Sequence, residues 1–277
     1  VSGARYISND TIRARFVRGE VRDVGYDNHL NYELITLLQP DLVLAYGVAD
    51  ENTALSRKLS ELGIKILYIG DYVEQSPLGK AEWIVAFGEM FDKRAEAEEY
   101  FAGVCESYLK TKVLIGKSTS HDYDEPGQQE APLNKPLVML NAPYRDTWFV
   151  PGDSSYMVRL IEDAGGRYAC QGDQSERSRP ISAESAYIYL NKSEVWLNPG
   201  QVTSMVELKS LYPRFADTPP VISGRVFNCN LRTTPEGGSD FWESGAVRPD
   251  IVLRDIVSML QPRQVPGYEP YYFRHIK

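Results

Sequence analysis

The sequence predicts an α/β protein built from two Rossmann-like lobes that are joined by a single long α-helix. Buried strands alternate with amphipathic helices before residue 92 and again after residue 136. One uninterrupted helical pattern, "DKRAEAEEYFAGVCESYLKTKVLIG" (92–116), separates these two stretches. The predicted boundaries are an N-terminal lobe at 1–91, the connecting helix at 92–118, a polar linker at 119–135 and a C-terminal lobe at 136–277.

The first lobe is predicted from a strand–helix–strand unit. The segment "LQPDLVLAYG" (38–47) contains a helix end, a Pro-Asp pair and the buried strand Leu42–Ala45. The segment "ALSRKLSELGIKILYIGDY" (54–72) continues with an amphipathic helix that ends at Gly63 and a second strand, Ile64–Ile69. Such a unit implies a parallel sheet, whose ligand-binding loops follow the carboxyl ends of the strands.

Two helices are predicted next, one at 79–91 and the long one that follows it. Apolar residues of the long helix recur at spacings of four, three and four: Ala97, Phe101, Val104 and Tyr108. This spacing places them on one face of a helix. Asp92 fits an N-cap and Gly116 fits a terminator.

The second lobe begins after a polar, proline-broken segment at 117–136. Strands are predicted at 136–144, 193–200 and 219–228, and helices at 155–166 and 248–262. Pro249 lies in the first turn of the last helix, where proline is favoured.

The composition excludes several classes of function. The net charge is −8 and the pI about 5.1, with no basic stripe, so binding to nucleic acid or to anionic lipid through surface charge is not expected. No run of ~18 apolar residues is present, so no membrane-spanning helix is predicted. The sequence opens without Met in a segment with an ordered pattern, so we expect a processed chain, and the missing leader does not indicate a cytoplasmic location.

Cysteine and histidine positions do not predict a metal site. Cys105 fits a helix core, and a Cys170–Cys229 disulfide is one open possibility. No CxxC pair is present, and no His stands at ligand spacing from a Cys. The three histidines lie far apart, at His29, His121 and His275, and the acidic "HDYDE" (121–125) is interpreted as part of a solvated linker.

Five elements, taken in order, resemble class III periplasmic binding proteins over nearly the whole chain. They are "PDLVLAYG", "LGIKILYIG", the long helix, "DAGG" (163–166) and "GRVFN" (224–228). That family comprises the substrate-binding subunits of ABC importers for iron–siderophore complexes, haem and cobalamin. The tail "VPGYEPYYFRHIK" and the opening loop are similar to a Bacteroidetes-type branch.

The resemblance implies a ligand cleft between the lobes, with the long helix as a stiff strut that permits only small closing rotations. It implies a periplasmic or cell-surface location through a lipid anchor whose cysteine lies outside this sequence. The implied partners are a metal chelate or corrinoid and an ABC importer permease. No cofactor is implied.

Loops at the strand carboxyl ends supply aromatic and arginine side chains to such a cleft. The candidate ligand-binding residues are Tyr6, Tyr46, Tyr72, Tyr144, Arg145, Trp148, Arg232, Phe241 and Trp242. Aromatic faces with a few guanidinium groups suit a large, flat or anionic chelate. On this hypothesis "NLRTTPEGGSDFWESG" (230–245) is a ligand-facing loop whose bend Gly237 and Gly238 allow. The alternative is that the rings belong to the rim of the core and that the arginines pair with acids on their own loops.

The resemblance also implies one permease-docking glutamate in each lobe. Glu74, just before a helix, fits the first lobe, and Glu207, in the helix after "NPG", fits the second. The alternative for both is an ordinary solvated acid.

The sequence therefore predicts a solute-binding protein that captures an iron chelate, siderophore or haem, with a corrinoid as the alternative ligand. An enzyme is not expected. No G-x-S-x-G is present, no His stands beside a Ser or Cys motif, and the carboxylates Asp240 and Glu243 have no evident partner. A hydrolytic enzyme and a surface interaction module remain the alternatives from other classes.

Overall fold

A computed structural model of the chain describes residues 1–25, 29–46, 52–119, 135–144, 147–172 and 177–277. These residues form two compact units. Unit 1 comprises Val1–Glu74 and Thr233–Asp240, and unit 2 comprises Gln75–Arg232 and Phe241–Lys277. The chain therefore leaves unit 1 after Glu74, returns at Thr233 and leaves again after Asp240. The domain boundaries predicted above follow the sequence rather than spatial compactness, and they stay a prediction.

Unit 1 contains a parallel strand–helix–strand unit, as predicted. Its helices are α1 (Asp10–Val17), α2 (Tyr32–Leu38) and α3 (Asn52–Glu61), and its strands are β1 (Val43–Tyr46) and β2 (Ile66–Ile69). Short 3-10 helices lie at Ala4–Tyr6 and Asp71–Val73. β1 and β2 pair in parallel, with Val43 opposite Ile66. Gly63, at φ +71°, ends the α3 segment in the left-handed conformation that glycine adopts without strain.

Residues 233–240 form a tight hairpin that belongs to unit 1. Thr233 and Ser239 form an antiparallel bridge, and the turn has Gly237 at φ +90°. Gly238 approaches the N-terminal segment so closely that a Cβ at this position would overlap the carbonyl oxygen of Tyr6. The middle of the predicted ligand-facing loop is thus a packed hairpin. Its first glycine serves the turn, and its second serves the close backbone approach.

Unit 2 holds most of the described elements. Its helices are α4 (Pro77–Met90), α5 (Arg94–Thr119), α6 (Tyr156–Asp163), α7 (Ala183–Lys192), α8 (Met205–Leu211), α9 (Pro219–Ile222), α10 (Ser244–Val247) and α11 (Pro249–Leu260). Its strands are β3 (Leu137–Leu140), β4 (Pro143–Tyr144), β5 (Thr147–Val150), β6 (Arg167–Tyr168), β7 (Arg179–Ile181), β8 (Val195–Leu197), β9 (Val226–Asn228) and β10 (Arg274–His275). Further 3-10 helices lie at Pro213–Phe215, Asp240–Trp242 and Pro262–Gln264.

The main sheet of unit 2 has a doubly wound order. Over the described residues its strand order is β10-β9-β8-β3-β6, and every pairing is parallel except β10 with β9. From β3 the chain goes first to β6 on one side and then to β8 on the other, so the strand order reverses beside β3. In sheets of this kind the crevice at the carboxyl ends of the two strands at the reversal is the usual ligand site. A small antiparallel sheet, β4-β5-β7, follows β3.

The long helix α5 is continuous, as predicted, and packs on α4 and α11. Three of the four residues on its predicted apolar face, Ala97, Val104 and Tyr108, are buried, and Phe101 is half-buried. The Tyr108 hydroxyl donates to Asp163 Oδ2 at 2.7 Å, and Lys112 Nζ lies 2.8 Å from Asp163 Oδ1. These contacts anchor α5 to the end of α6.

The predicted N-cap and the predicted terminator of α5 were wrong. Asp92 has φ +55° in the link between α4 and α5, and the carbonyl of Lys93 accepts the first helical bond, from Ala97 N. Gly116 lies inside the helix. A single interior glycine costs about 1 kcal/mol, which a long, packed helix tolerates.

The predicted strand at 219–228 was also wrong over its first half. Residues Pro219–Ile222 form the short helix α9, and the strand begins only at Val226. Both prolines stand in the first turn of a helix, where an N–H is not needed for helical bonding. None of the three cysteines, all of them described, forms a disulfide, so the possible Cys170–Cys229 bond is not made; Cys170 and Cys229 are buried and Cys105 is half-buried.

Among the described residues, none of the helices combines the length and the hydropathy that crossing a lipid bilayer requires.

Candidate functional site

The carboxyl ends of β3 and β8, where the strand order of unit 2 reverses, carry two residues in an unusual conformation. Asn141 follows β3 at φ +67°, and Asn198 follows β8 at φ +59°. Asparagine tolerates this left-handed region better than most residues, and such positions concentrate at functional sites. Asn141 N donates to Leu197 O at 3.0 Å, which ties the two strand ends together.

A concavity of about 510 Å³ lies beside this edge, entirely within unit 2. Its lining residues are Pro143, Trp148, Ser182, Ala183, Glu184, Leu211, Tyr212, Pro213, Arg214 and Phe215. Pro143 begins β4, two residues after Asn141. The Tyr212 hydroxyl lies close to Gly200, in the loop after Asn198, since a Cβ on that glycine would be 3.0 Å from it. The volume is within the range of small-molecule sites, ~300–1,000 Å³. We call this feature the unit 2 concavity.

The floor of the unit 2 concavity is rigid and aromatic. Trp148 is only 1% exposed, and its indole Nε1 donates to Leu140 O at 2.9 Å. Its ring lies 5.6 Å from that of Trp196 and 5.3 Å from that of Phe215, the latter edge-on. Burial raises the pKa of Tyr212 in the wall, so this phenol stays neutral.

The rim of the concavity carries one ion pair. Arg214 Nη1 lies 3.4 Å from Glu184 Oε1, with 59% and 75% of the two side chains exposed. Glu184 stands in the first turn of α7, whose N-cap Ser182 accepts from Ser185 N at 3.1 Å. The pKa of Glu184 is lowered by a hydrogen bond from its own backbone N–H, then by the Ser182 hydroxyl and the charge of Arg214.

Unit 1 presents a pair of exposed tyrosines. Tyr46, at the end of β1, and Tyr72 meet edge to face with ring centroids 5.3 Å apart. Partial desolvation of its hydroxyl, and then the negative charge of Asp71, raise the pKa of Tyr46. The half-buried Tyr6 lies apart, with the Arg5 guanidinium 4.7 Å from its ring centroid.

A second row of aromatic rings in unit 2 links Arg232 to Trp242. The Arg232 guanidinium lies 4.3 Å from the centroid of Tyr271, which meets Tyr272 at 4.8 Å. Phe241 continues the row, 6.0 Å from Tyr272 and 4.8 Å from Trp242. Arg232 and Trp242 are exposed at the two ends of this row.

The predicted ligand-binding residues thus fall into three groups. The exposed ones are Tyr46, Tyr72, Tyr144, Arg232 and Trp242, and Tyr6 is half-buried. Trp148 and Phe241 are core residues, at 1% and 4% exposure, although Trp148 also lines the concavity, and a ligand-binding role for either ring stays a prediction. Arg145 lies outside the described residues.

The two predicted docking glutamates have local roles. Glu207 Oε2 accepts from Thr203 N at 2.8 Å and from Thr203 Oγ1 at 3.1 Å, while Glu207 N donates to Ser204 Oγ. This arrangement is close to a capping box at the start of α8. Glu74 ends the 3-10 helix at Asp71–Val73 and is half-buried. Their docking role stays a prediction.

The sequence analysis missed most of the concavity. The segment "LYPRFAD" (211–217) supplies Leu211, Tyr212, Arg214 and Phe215 to its wall. A signal was present in the sequence. Tyr212, Arg214 and Phe215 surround Pro213 directly after α8, and α8 is the helix that follows the carboxyl end of β8. Within the part of the chain that the structure describes, no group of three His, Cys, Asp or Glu side chains could hold a metal ion.

Comparison with known sequences places the chain in one family. Residues 3–230 match the family model described as periplasmic binding protein. An uncharacterised lipoprotein of Methanocaldococcus jannaschii is 26% identical over 270 residues, which cover 95% of this chain and 58% of that protein. A second uncharacterised lipoprotein of the same organism is 24% identical, with 95% and 64% covered. The chain therefore spans about three fifths of the length of these relatives.

Solved structures share the fold. A periplasmic haem-binding protein from Pseudomonas aeruginosa superimposes with a TM-score of 0.66 at 16% identity, over 97% of this chain and 88% of that one. The haem-binding protein RhuT from Roseiflexus gives 0.64 at 19%, over 89% and 85%. An ABC transporter substrate-binding protein from Listeria monocytogenes gives 0.59 at 16%, over 89% and 86%. These matches confirm the predicted α/β fold class.

Proposed function

Because this chain belongs to the class III periplasmic binding protein family, we propose that it is the substrate-binding protein of an ABC importer and captures an iron chelate, a siderophore or haem. The observation that carries the proposal is the unit 2 concavity. It adjoins the point where the strand order reverses, and it joins an aromatic floor to a single arginine, Arg214.

Each unit also carries exposed rings of its own. Tyr46 and Tyr72 of unit 1 and Tyr144 and Trp242 of unit 2 offer flat apolar area that is already ordered, so stacking a planar ligand costs little side-chain entropy. Arg232, held over Tyr271, adds a cation. Flat area with few cations suits a bulky chelate of negative charge, and the haem-binding proteins among the structural neighbours support this class of ligand.

The proposed action is equilibrium binding followed by delivery to a permease, with no covalent step. Glu74 and Glu207 are the proposed contacts with the permease. The carboxylate of Glu207 already caps α8, so we propose that this cap fixes its position for docking. The lipoprotein names of two relatives support a lipid-anchored protein at the periplasmic side or the cell surface.

The test is a titration of the ligand-free protein with haemin, a ferric siderophore and cyanocobalamin, read by tryptophan fluorescence and, for haemin, by its visible absorption band. We expect haemin or the ferric siderophore to bind with Kd below ~10 µM, roughly −7 kcal/mol. Trp242→Ala and Tyr46→Ala should each weaken binding about tenfold, the equivalent of one stacked ring.

Phe91→Ala is the matched control, since Phe91 is 70% exposed at the end of α4 and outside the candidate surfaces. It should change Kd by less than about twofold. Binding of cyanocobalamin alone would move the ligand class to corrinoids. Failure of all three probes to bind below ~10 µM would contradict the proposal.

A further inference from the structure

We propose that the unit 2 concavity binds a planar aromatic group bearing an anionic oxygen, and that Glu184 competes with this anion for Arg214. The inference deepens the proposed function and rests on it, because the aromatic anion would be one part of the captured chelate. It names the chemical group that unit 2 recognises and a pair of residues that sets its selectivity.

The apolar part of the concavity suits a flat ring. Trp148 and Phe215 meet nearly at right angles, at 87°, and are fixed by packing and by the indole hydrogen bond to Leu140 O. Pro143 and Pro213 add rigid walls on two sides. Aromatic pairs prefer offset or edge-on contacts to a face-to-face sandwich, so a flat ring of a ligand can extend this arrangement.

The charge at the rim selects the substituent on that ring. Of the ten lining residues, all of them described, Arg214 alone carries a positive charge. A guanidinium group has five N–H donors, and within the described residues Arg214 uses one contact, to Glu184. Donors therefore remain for an anionic oxygen of a ligand, which a guanidinium binds in a planar, two-point fashion.

Glu184 is a displaceable partner. Its 3.4 Å contact with Arg214 is longer than the ~2.8 Å of a strong charge-assisted bond, and both side chains are mostly exposed. Exposed pairs of this kind contribute little to stability. Glu184 also stands in the first turn of α7, where the helix N-terminus stabilises a carboxylate, so losing Arg214 would not leave its charge without a favourable partner. Until it is displaced, its charge repels an incoming anion.

The opposite reading, in which Glu184 recruits a cationic ligand, fits less well. The carboxylate is already stabilised by the N-terminus of α7, whereas Arg214 has N–H donors to spare. A cationic ligand at Glu184 would also be repelled by the positive charge of Arg214, because both side chains line the same concavity. The geometry therefore favours anion recognition by Arg214 with Glu184 as the internal competitor.

Two fluorescent probes with the same rings test this directly. 1-Anilinonaphthalene-8-sulfonate carries a sulfonate, and N-phenyl-1-naphthylamine is its neutral counterpart. Both are titrated into the full chain without any iron chelate. Ala183→Trp, which fills the concavity, should abolish the binding of both probes at this site and so identifies the signal that belongs to it.

The two charge variants should act in opposite directions on the anionic probe alone. Arg214→Gln should raise the Kd of the sulfonate about fivefold, and Glu184→Gln should lower it about threefold, the range of an exposed charge contact. The neutral probe should stay within about twofold in both. Both residues are exposed, so unchanged unfolding midpoints are expected and are measured as the folding control.

Equal shifts for both probes, no shift for either, or weaker sulfonate binding in Glu184→Gln would overturn the inference. Haemin and siderophore titrations of the same variants separate it from the proposed function. If a chelate binds but the charge pattern is missing, this inference alone fails. If no chelate or corrinoid binds while the charge pattern holds, the proposed function fails and the chemistry assigned to the concavity stands.

Discussion

Units 1 and 2 are built from the same kinds of elements, but they cover their strands differently. In unit 2 the strand residues Val138–Leu140 and Val195–Leu197 have no exposed surface. In unit 1 the pair β1–β2 leaves Leu44 and Leu67 about two-fifths exposed. Parallel strands are ordinarily covered on both faces. We therefore expect unit 2 to contribute more of the stability of the described chain and unit 1 to open at a lower free-energy cost.

The two units also anchor loops with carboxylates in different settings. In unit 2 the fully buried Asp255 accepts from Tyr268 Oη and from the backbone N–H groups of Tyr271, Tyr272 and Phe273. In unit 1 the half-buried Asp23 accepts from Gly3 N, Ala4 N and Gly25 N. A carboxylate that accepts several backbone N–H groups is thus fully buried in unit 2 and partly accessible to solvent in unit 1. Removing a hydrogen-bond partner from a buried group costs more free energy than removing it from a hydrated group. Substituting Asp255 and Asp23 therefore compares how well the two units exclude water.

A matched pair of core truncations should show the largest effect. Leu160 in unit 2 and Leu59 in unit 1 are both 0% exposed. Leu160→Ala should lower the free energy of unfolding by about 4 kcal/mol, and Leu59→Ala by about 2 kcal/mol, because a loosely covered site collapses around the lost atoms more easily.

Urea unfolding and residue-resolved hydrogen exchange measure both variants. Leu59→Ala should speed exchange in unit 1 only. Equal losses in the two variants, with exchange raised across both units, would break the comparison.

The two anchoring carboxylates should give the next largest difference. Asp255→Ala should cost about 3 kcal/mol, because three backbone N–H groups are left buried without an acceptor, and Asp23→Ala about 1 kcal/mol, because water replaces the lost acceptor. Burial raises the pKa of Asp255, and its hydrogen bonds oppose that shift.

Glu106→Ala is the control, since Glu106 forms an exposed ion pair with Lys110 on α5. It should cost at most about 0.5 kcal/mol. Similar losses for Asp23→Ala and Asp255→Ala in denaturant unfolding would show that the two settings are equivalent.

Thiol labelling should show the smallest effect. It separates the opening of unit 2 from the opening of unit 1 most sharply, because all three cysteines lie in unit 2. Burial raises the pKa of Cys170 and of Cys229 to about 12, so the native thiols remain protonated and unreactive between pH 7 and 9. A disulfide reagent should modify the half-buried Cys105 first and the other two only when unit 2 opens. Leu59→Ala should leave the labelling rates of Cys170 and Cys229 unchanged, and Leu160→Ala should raise them. Acceleration by Leu59→Ala would mean that the two units open together.

Periodicity in the sequence was enough for the long elements. The βαβ unit of unit 1, the helix α5 and the helix α11 followed from apolar spacing, and Pro249 marked a helix start. The small sheet β4-β5-β7 was not predicted, because strands of two to four residues carry too little alternation. One signal was present there: Trp148 and Val150 point inward and Phe149 outward, and this period of two would have placed Trp148 in the core.

The candidate site was less predictable for a different reason. Exposed rings such as Tyr46, at the end of β1, and Trp242, at the end of a 3-10 helix, stand beside segments that the sequence pattern identifies. The pairing of Glu184 with Arg214 instead joins two segments that no local pattern relates. The hairpin at 233–240 was equally unpredictable, because the need for glycine at 238 comes from its close approach to Tyr6, far away in the sequence. Contacts between distant segments decide such features, and composition alone does not report them.

That hairpin sets the order in which the molecule can be completed during synthesis. Unit 1 includes Thr233–Asp240, so its first 74 residues leave the ribosome long before their last partner does. At ~5–20 residues per second, the 159 residues from Glu74 to Thr233 take about 8–32 s to translate. Residues 1–74 are therefore synthesised well before unit 1 can be completed. During that interval Tyr6 lacks its contact with the hairpin, which is synthesised only after most of unit 2.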